Sequence, residues 1–152
     1  MTPTVVPASF RDTAGFVWTD GDAIYRHVGQ EHREHYDRLL SSGLYEALVS
    51  KGFMVPHEET TDVASPRPGA YKIVRPEVVG FISYPYEWSF GQLKDAALLT
   101  LEIQKLAIEH GMSLRDATAY NVQFHRGRPV LIDTLSFEIL PEGKPWIAYR
   151  QF

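Results

Sequence analysis

A chain of 152 residues with 44% hydrophobic content is long enough to bury a real core and reads as one domain. A formal net charge of -4, with no Lys/Arg-rich run interleaved with aromatics, argues against a nucleic-acid partner. The chain has no cysteine, hence neither a disulfide framework nor a thiolate metal site, and no apolar run of membrane-spanning length, so it reads as a soluble cytoplasmic protein without a membrane partner.

In chain order, residues 1–12 carry Pro and Thr, lack the charged start and long apolar region of a signal peptide, and are expected to be extended. Two apolar runs, residues 15–18 and 23–28, flank Asp20 and Gly21, a strong signal for an antiparallel hairpin. From Tyr36 onward Leu39, Leu40, Leu44, Tyr45, Leu48 and Val49 recur at helical spacing, with Gly43 placed to bend the helix and Gly52 to end it. His32 and His35, three apart, suit one helical face as metal ligands, but they have no third ligand and read as surface histidines. Residues 56–70 are polar and Pro-rich, a loop; residues 71–75 and 78–83 read as strands on either side of Pro76 and Glu77. Arg26 and Lys72, both on expected strands, are the two candidates to contact a phosphate, and a solvated sheet face is the plainer reading of each.

The aromatic stretch with Tyr84, Tyr86, Trp88 and Phe90 leads into a helix over about 90–110, opened by a capping box of Ser89 and Gln92 and stopped by Gly111. Its apolar residues leave few polar faces, which predicts a central, largely buried helix. Residues 112–137 then read as a polar loop followed by a hairpin, with strands at 122–124 and 129–132 around Arg126 and Gly127. Such a hairpin returns the chain to its start and gathers Asp116, Asn121 and Asp133 at one end. Two carboxylates and an amide carbonyl form a hard oxygen set that suits Mg²⁺ and its bound phosphates better than zinc. Taken singly, Asp116 and Asn121 also suit turn caps, and Asp133 a strand end bonding loop amides. The closing run Trp146, Ile147, Tyr149 and Phe152 is apolar, so the chain is expected to be a fragment of a longer protein, or its tail to pack back on the domain or on a second copy in a homodimer.

Asp116 after Arg115, Asn121 five residues on and Asp133 closing the hairpin twelve later resemble the catalytic core of the protein-kinase-like superfamily. The resemblance implies a truncated kinase-like α+β fold, with a small antiparallel N-lobe sheet and a helix followed by a buried long helix and a catalytic-loop hairpin. It also implies ATP and Mg²⁺ as ligands, Asp116 as the base, and Asn121 and Asp133 as metal ligands. Tyr84 and Tyr86 fall in the hinge, where their rings would stack on a base or equally serve as core at the join of two lobes; Glu46 falls on the helix that carries a Glu facing the nucleotide-anchoring Lys, though taken alone it reads as a solvated surface residue. Leu114 stands where a His is common, Thr134 and Leu135 replace the usual Phe-Gly, and the first hairpin lacks a glycine-rich phosphate loop.

Over nearly the whole chain the wording is closer still to a narrower group. Residues 9–12 with 15–16, 34–36, 42–45, 82–90, 93–101, 116–121, 132–137 and 145–152 resemble the N-terminal region of large bacterial class I S-adenosylmethionine-dependent methyltransferases. That resemblance implies a methyltransferase domain downstream as the module's partner, with S-adenosylmethionine expected only there, since these 152 residues hold no Gly-rich strand-to-helix turn followed by an acidic ribose-binding residue. Two readings follow. The favoured one is a degenerate kinase-like accessory or binding module; the other is a Mg²⁺-dependent ATP phosphotransferase that needs further chain to bind an acceptor.

Overall fold

The computed structural model of the chain describes residues 3–6 and 14–152. It is α+β, and its backbone gathers into two compact units, one of residues 1–36 and 56–78, the other of residues 37–55 and 79–152.

The first unit is a five-stranded antiparallel sheet in the order β1-β2-β3-β5-β4, built from β1 (Thr4–Val5), β2 (Gly15–Asp20), β3 (Ala23–Gly29), β4 (His57–Glu59) and β5 (Ala70–Pro76). The Asp20-Gly21 signal is borne out: Asp20 pairs with Ala23, so Gly21 (φ 61°) and Asp22 alone make the turn. Extended structure is met at Thr4–Val5, while residues 1, 2 and 7–12 of the expected extended stretch lie outside the described residues. Alternation along β2 buries Phe16 and Trp18, and Phe16 stacks on His27 across the β2–β3 pair with ring centroids 4.7 Å apart.

Residues 57–59 of the expected loop form β4, and no strand forms over 78–83. Once β4 pairs along one edge of β5 and β3 along the other, β5 has no free edge left for a following strand. Tyr36, fully buried, donates to Glu59 (3.1 Å) and meets His57 Nε2 at 3.1 Å, while Glu59 holds Lys72 at 2.5 Å. Burial drops the pKa of His57 to about 4 against the opposing pull of Glu59. His32 is buried and packs on His35 with ring centroids 5.2 Å apart, which corrects the surface reading of His32.

The chain enters the second unit along α1 (Arg33–Ser41), turns at Gly43 (φ 78°) and continues as α2 (Leu44–Ser50), so the glycine splits the expected helix. The helix α3 (Phe90–Glu109) starts with the expected reciprocal cap, Gln92 N–H to Ser89 Oγ (3.3 Å) and Ser89 N–H to Gln92 Oε1 (3.0 Å). Its buried stripe, Ala96, Leu99, Ile103 and Ala107, packs in one core with Leu44, Leu48, Met112, Leu114, Val122, Leu131 and Phe137. The expectation of a largely buried helix is corrected. Phe90 is 82% exposed, and Leu98, Leu101 and Ile108 are about half exposed. Packing covers only one side of the cylinder, however apolar the other is.

Three-residue strands β6 (Met112–Leu114) and β9 (Phe137–Ile139) pair antiparallel and bracket the hairpin of β7 (Val122–His125) and β8 (Arg128–Leu131). Arg126 (φ 51°) and Gly127 (φ 77°) are both left-handed, the two-residue turn whose twist matches its strands. The C-terminal segment packs back in part. Ala148 joins the core and Trp146 Nε1 donates to the Leu114 carbonyl (2.9 Å), whereas Ile147 and Tyr149 remain exposed.

Candidate functional site

The β6–β9 pair closes the base of residues 115–136, and its hydrogen bonding continues upward as Arg115 N–H and Asp116 N–H both donate to the Ser136 carbonyl (2.9 and 3.3 Å). From that base the chain turns through Asp116, whose Oδ1 accepts the Thr118 N–H (3.2 Å), and Thr118 in turn caps the short turn Ala119–Asn121. Asn121 is fastened to the hairpin by its backbone carbonyl, which accepts from Ile132 N–H (2.9 Å) one residue before Asp133. Asp133, 7% exposed, caps the turn Thr134–Ser136 through Oδ1, which accepts the Leu135 N–H (3.0 Å).

The expected trio is therefore brought together on one short segment, and its connecting atom is one that the sequence did not flag. The fully buried Ser136 hydroxyl donates to Asp133 Oδ2 (2.9 Å) and accepts from Asn121 Nδ2 (3.1 Å). Asn121 Oδ1 has no protein partner among the described residues, and the same holds for Asp116 Oδ2. The capping bond of Asp116 uses one carboxylate oxygen only, since a carboxylate has lone pairs beyond those the turn amide takes.

The donor atoms gathered here are carboxylate and amide oxygens, of the hard type. No cluster of three His, Cys, Asp or Glu suited to a metal occurs among the described residues. Carboxylate and amide oxygens are the ligand types of an ion that keeps water and phosphate oxygens for the rest of its shell.

The aromatic candidates lie in the same unit. Tyr84 and Tyr86 stack with ring centroids 5.5 Å apart, and Tyr120, which precedes Asn121, tilts against Tyr84 at 6.5 Å. All three are exposed. What holds this segment is the buried Gln123, whose amide bonds both Ser83 N–H (Oε1, 2.9 Å) and Ser83 C=O (Nε2, 2.9 Å), imitating a strand pairing. Trp88 adds Nε1–H to Ser83 Oγ (2.9 Å) and an edge-on contact to Phe124. Tyr120, Gln123 and Ser136 were all missed in the sequence. Only the place of Tyr120 beside Asn121 was a usable signal.

Arg26 and Lys72 belong to the first unit. Arg26 lies in the central strand β3, paired in register with Val17 on β2 and Val74 on β5. Glu59 on the neighbouring strand β4 holds Lys72, a pairing between adjacent strands of one sheet. Glu46 is exposed on α2.

No protein-family model matches the chain. It is similar to nodulation protein NoeA of Rhizobium meliloti (strain 1021), 34% identical over 158 aligned positions that take in 99% of this chain and 32% of the relative. The chain thus spans about a third of that relative's length. No helix among the described residues is long and apolar enough to cross a membrane.

Proposed function

We propose that the chain is a kinase-like accessory module that binds a divalent cation of the Mg²⁺ class, with or without a nucleotide, and serves a longer methyltransferase protein without itself transferring phosphate. The observation that carries this reading is the Asn121–Ser136–Asp133 bridge, which ties the Asn121 amide to the Asp133 carboxylate through one buried hydroxyl at the end of the β7–β8 hairpin. Support for a binding role over catalysis comes from the first unit. Its β2–β3 turn consists of Gly21 and Asp22 only, which leaves no run of glycine amides to cradle a triphosphate. S-adenosylmethionine belongs, in this reading, to a downstream domain alone.

A second reading, a Mg²⁺-dependent ATP phosphotransferase completed by further chain, is favoured by Asp116. Its second carboxylate oxygen stays unused by the turn that fixes the first, as a base accepting a hydroxyl proton requires. Calorimetric titration of the chain with a non-hydrolysable ATP analogue, with and without Mg²⁺, tests both. Saturable Mg²⁺-dependent binding that Asp133→Asn removes supports the cation site; binding unchanged by Asp133→Asn overturns it. Phosphate transfer from ATP that Asp116→Asn abolishes would replace the accessory reading by the second.

A further inference from the structure

Ser136 stands three residues beyond Asp133, is fully buried, and touches every member of the trio. Its carbonyl accepts from Arg115 N–H and Asp116 N–H, its hydroxyl donates to Asp133 Oδ2, and its oxygen accepts from Asn121 Nδ2. The direction of these bonds follows from proton counting. An ionised carboxylate can only accept, so the single hydroxyl proton of Ser136 goes to Asp133. The Ser136 oxygen is then left as an acceptor and can be met only by the NH₂ side of the Asn121 amide.

An asparagine amide is nearly the same shape after a half-turn about its last bond, but the two orientations are chemical opposites. One offers a carbonyl oxygen and the other two protons that repel a cation. By engaging the NH₂ group, Ser136 leaves Oδ1 as the outward atom, and Oδ1 is the amide atom with no protein partner among the described residues.

We propose that Ser136 is a positioning residue that sets the amide orientation of Asn121 and the carboxylate orientation of Asp133, so that both present oxygen to a divalent cation. This rests on the reading of Asn121 and Asp133 as cation ligands. It also accounts for a departure from the kinase-like pattern: where Phe-Gly is usual, Thr134 and Leu135 form a short turn that carries Ser136 back under both ligands. The site is a pair of ligands with its own orienting hydroxyl, the arrangement by which outer-shell partners tune metal sites.

Two measurements on the 152-residue chain test it. Mn²⁺ binding, followed by water-proton relaxation, is expected to be saturable for the wild type and weakened about tenfold or more by Ser136→Ala, the usual effect of deleting an outer-shell hydrogen bond. Equal affinity in the two overturns the role of Ser136 while leaving the ligands in place. A wild type that binds no Mn²⁺ at millimolar concentration overturns the ligand reading and the proposal with it. The second measurement needs no variant and no metal. In the wild-type NMR spectrum the Asn121 side-chain NH₂ protons are expected to exchange slowly and to show cross-relaxation to the Ser136 β-protons. Fast exchange, or an amide turned the other way, overturns the proposal even if Ser136→Ala fails to fold.

Discussion

Replacing Gln123 with Leu keeps the volume of a side chain that is 3% exposed and deletes both hydrogen bonds to the Ser83 backbone. Each such bond is worth about 1 kcal/mol net, so the pair supplies about 2 kcal/mol of the free energy holding the Tyr84–Tyr86 segment on the hairpin. Ser83 is half-buried, so its freed N–H and C=O can be rehydrated when the segment lifts, and the loss appears as local opening ahead of global unfolding. At 1.4 kcal/mol per decade, 2 kcal/mol is about a thirtyfold rise in hydrogen exchange at the Ser83 amide, with the amides of the β6–β9 pair unchanged. Gln123→Glu sharpens the test. Ionised, it faces the Ser83 carbonyl with no proton to donate; protonated, it regains a donor, so its exchange defect should shrink from pH 7 to pH 5. Wild-type exchange at Ser83 in a folded Gln123→Leu variant would refute the tether.

Acid should weaken the first unit. The folded pKa of His57, about 4, lies below its unfolded value of 6.5, so the unfolded chain binds the extra proton between them. Stability is complete above about pH 6.5 and falls as the pH drops toward 4, by at most about 3 kcal/mol from this group. His27 adds to the same slope, its pKa lowered by burial and by the Arg67 guanidinium. Urea denaturation at pH 7 and pH 5 reads the slope, and His57→Gln should flatten it; an unchanged slope would rule His57 out. In the second unit, Phe137→Ala empties a fully buried position of the core that β9 shares with α3, and should cost about 3–5 kcal/mol of unfolding free energy. A loss under 1 kcal/mol by chemical denaturation would show that the core collapses into the space.

Features closed by near neighbours could be read directly from the order of residues. The β2–β3 turn, the Ser89–Gln92 cap, the helix stop at Gly111 and the left-handed turn at Arg126 and Gly127 each depend on residues within about four positions, so their chemistry is written in order along the chain. The approach of Asn121 to Asp133 was legible by another route, since a tight hairpin converts sequence spacing into proximity. Tertiary structure alone decided the rest. Three-residue strands such as β4, β6 and β9 show no period of their own, and they form because distant partners offer open edges. The exposure of Leu98, Leu101 and Ile108 depends on which side of α3 is packed, which an apolar sequence does not state. Gln123 reaches Ser83 across 40 residues and Ser136 reaches Asn121 across 15. A buried amide or hydroxyl takes its meaning from the direction of the one proton or lone pair it presents, and that direction exists only once the fold has placed its partner.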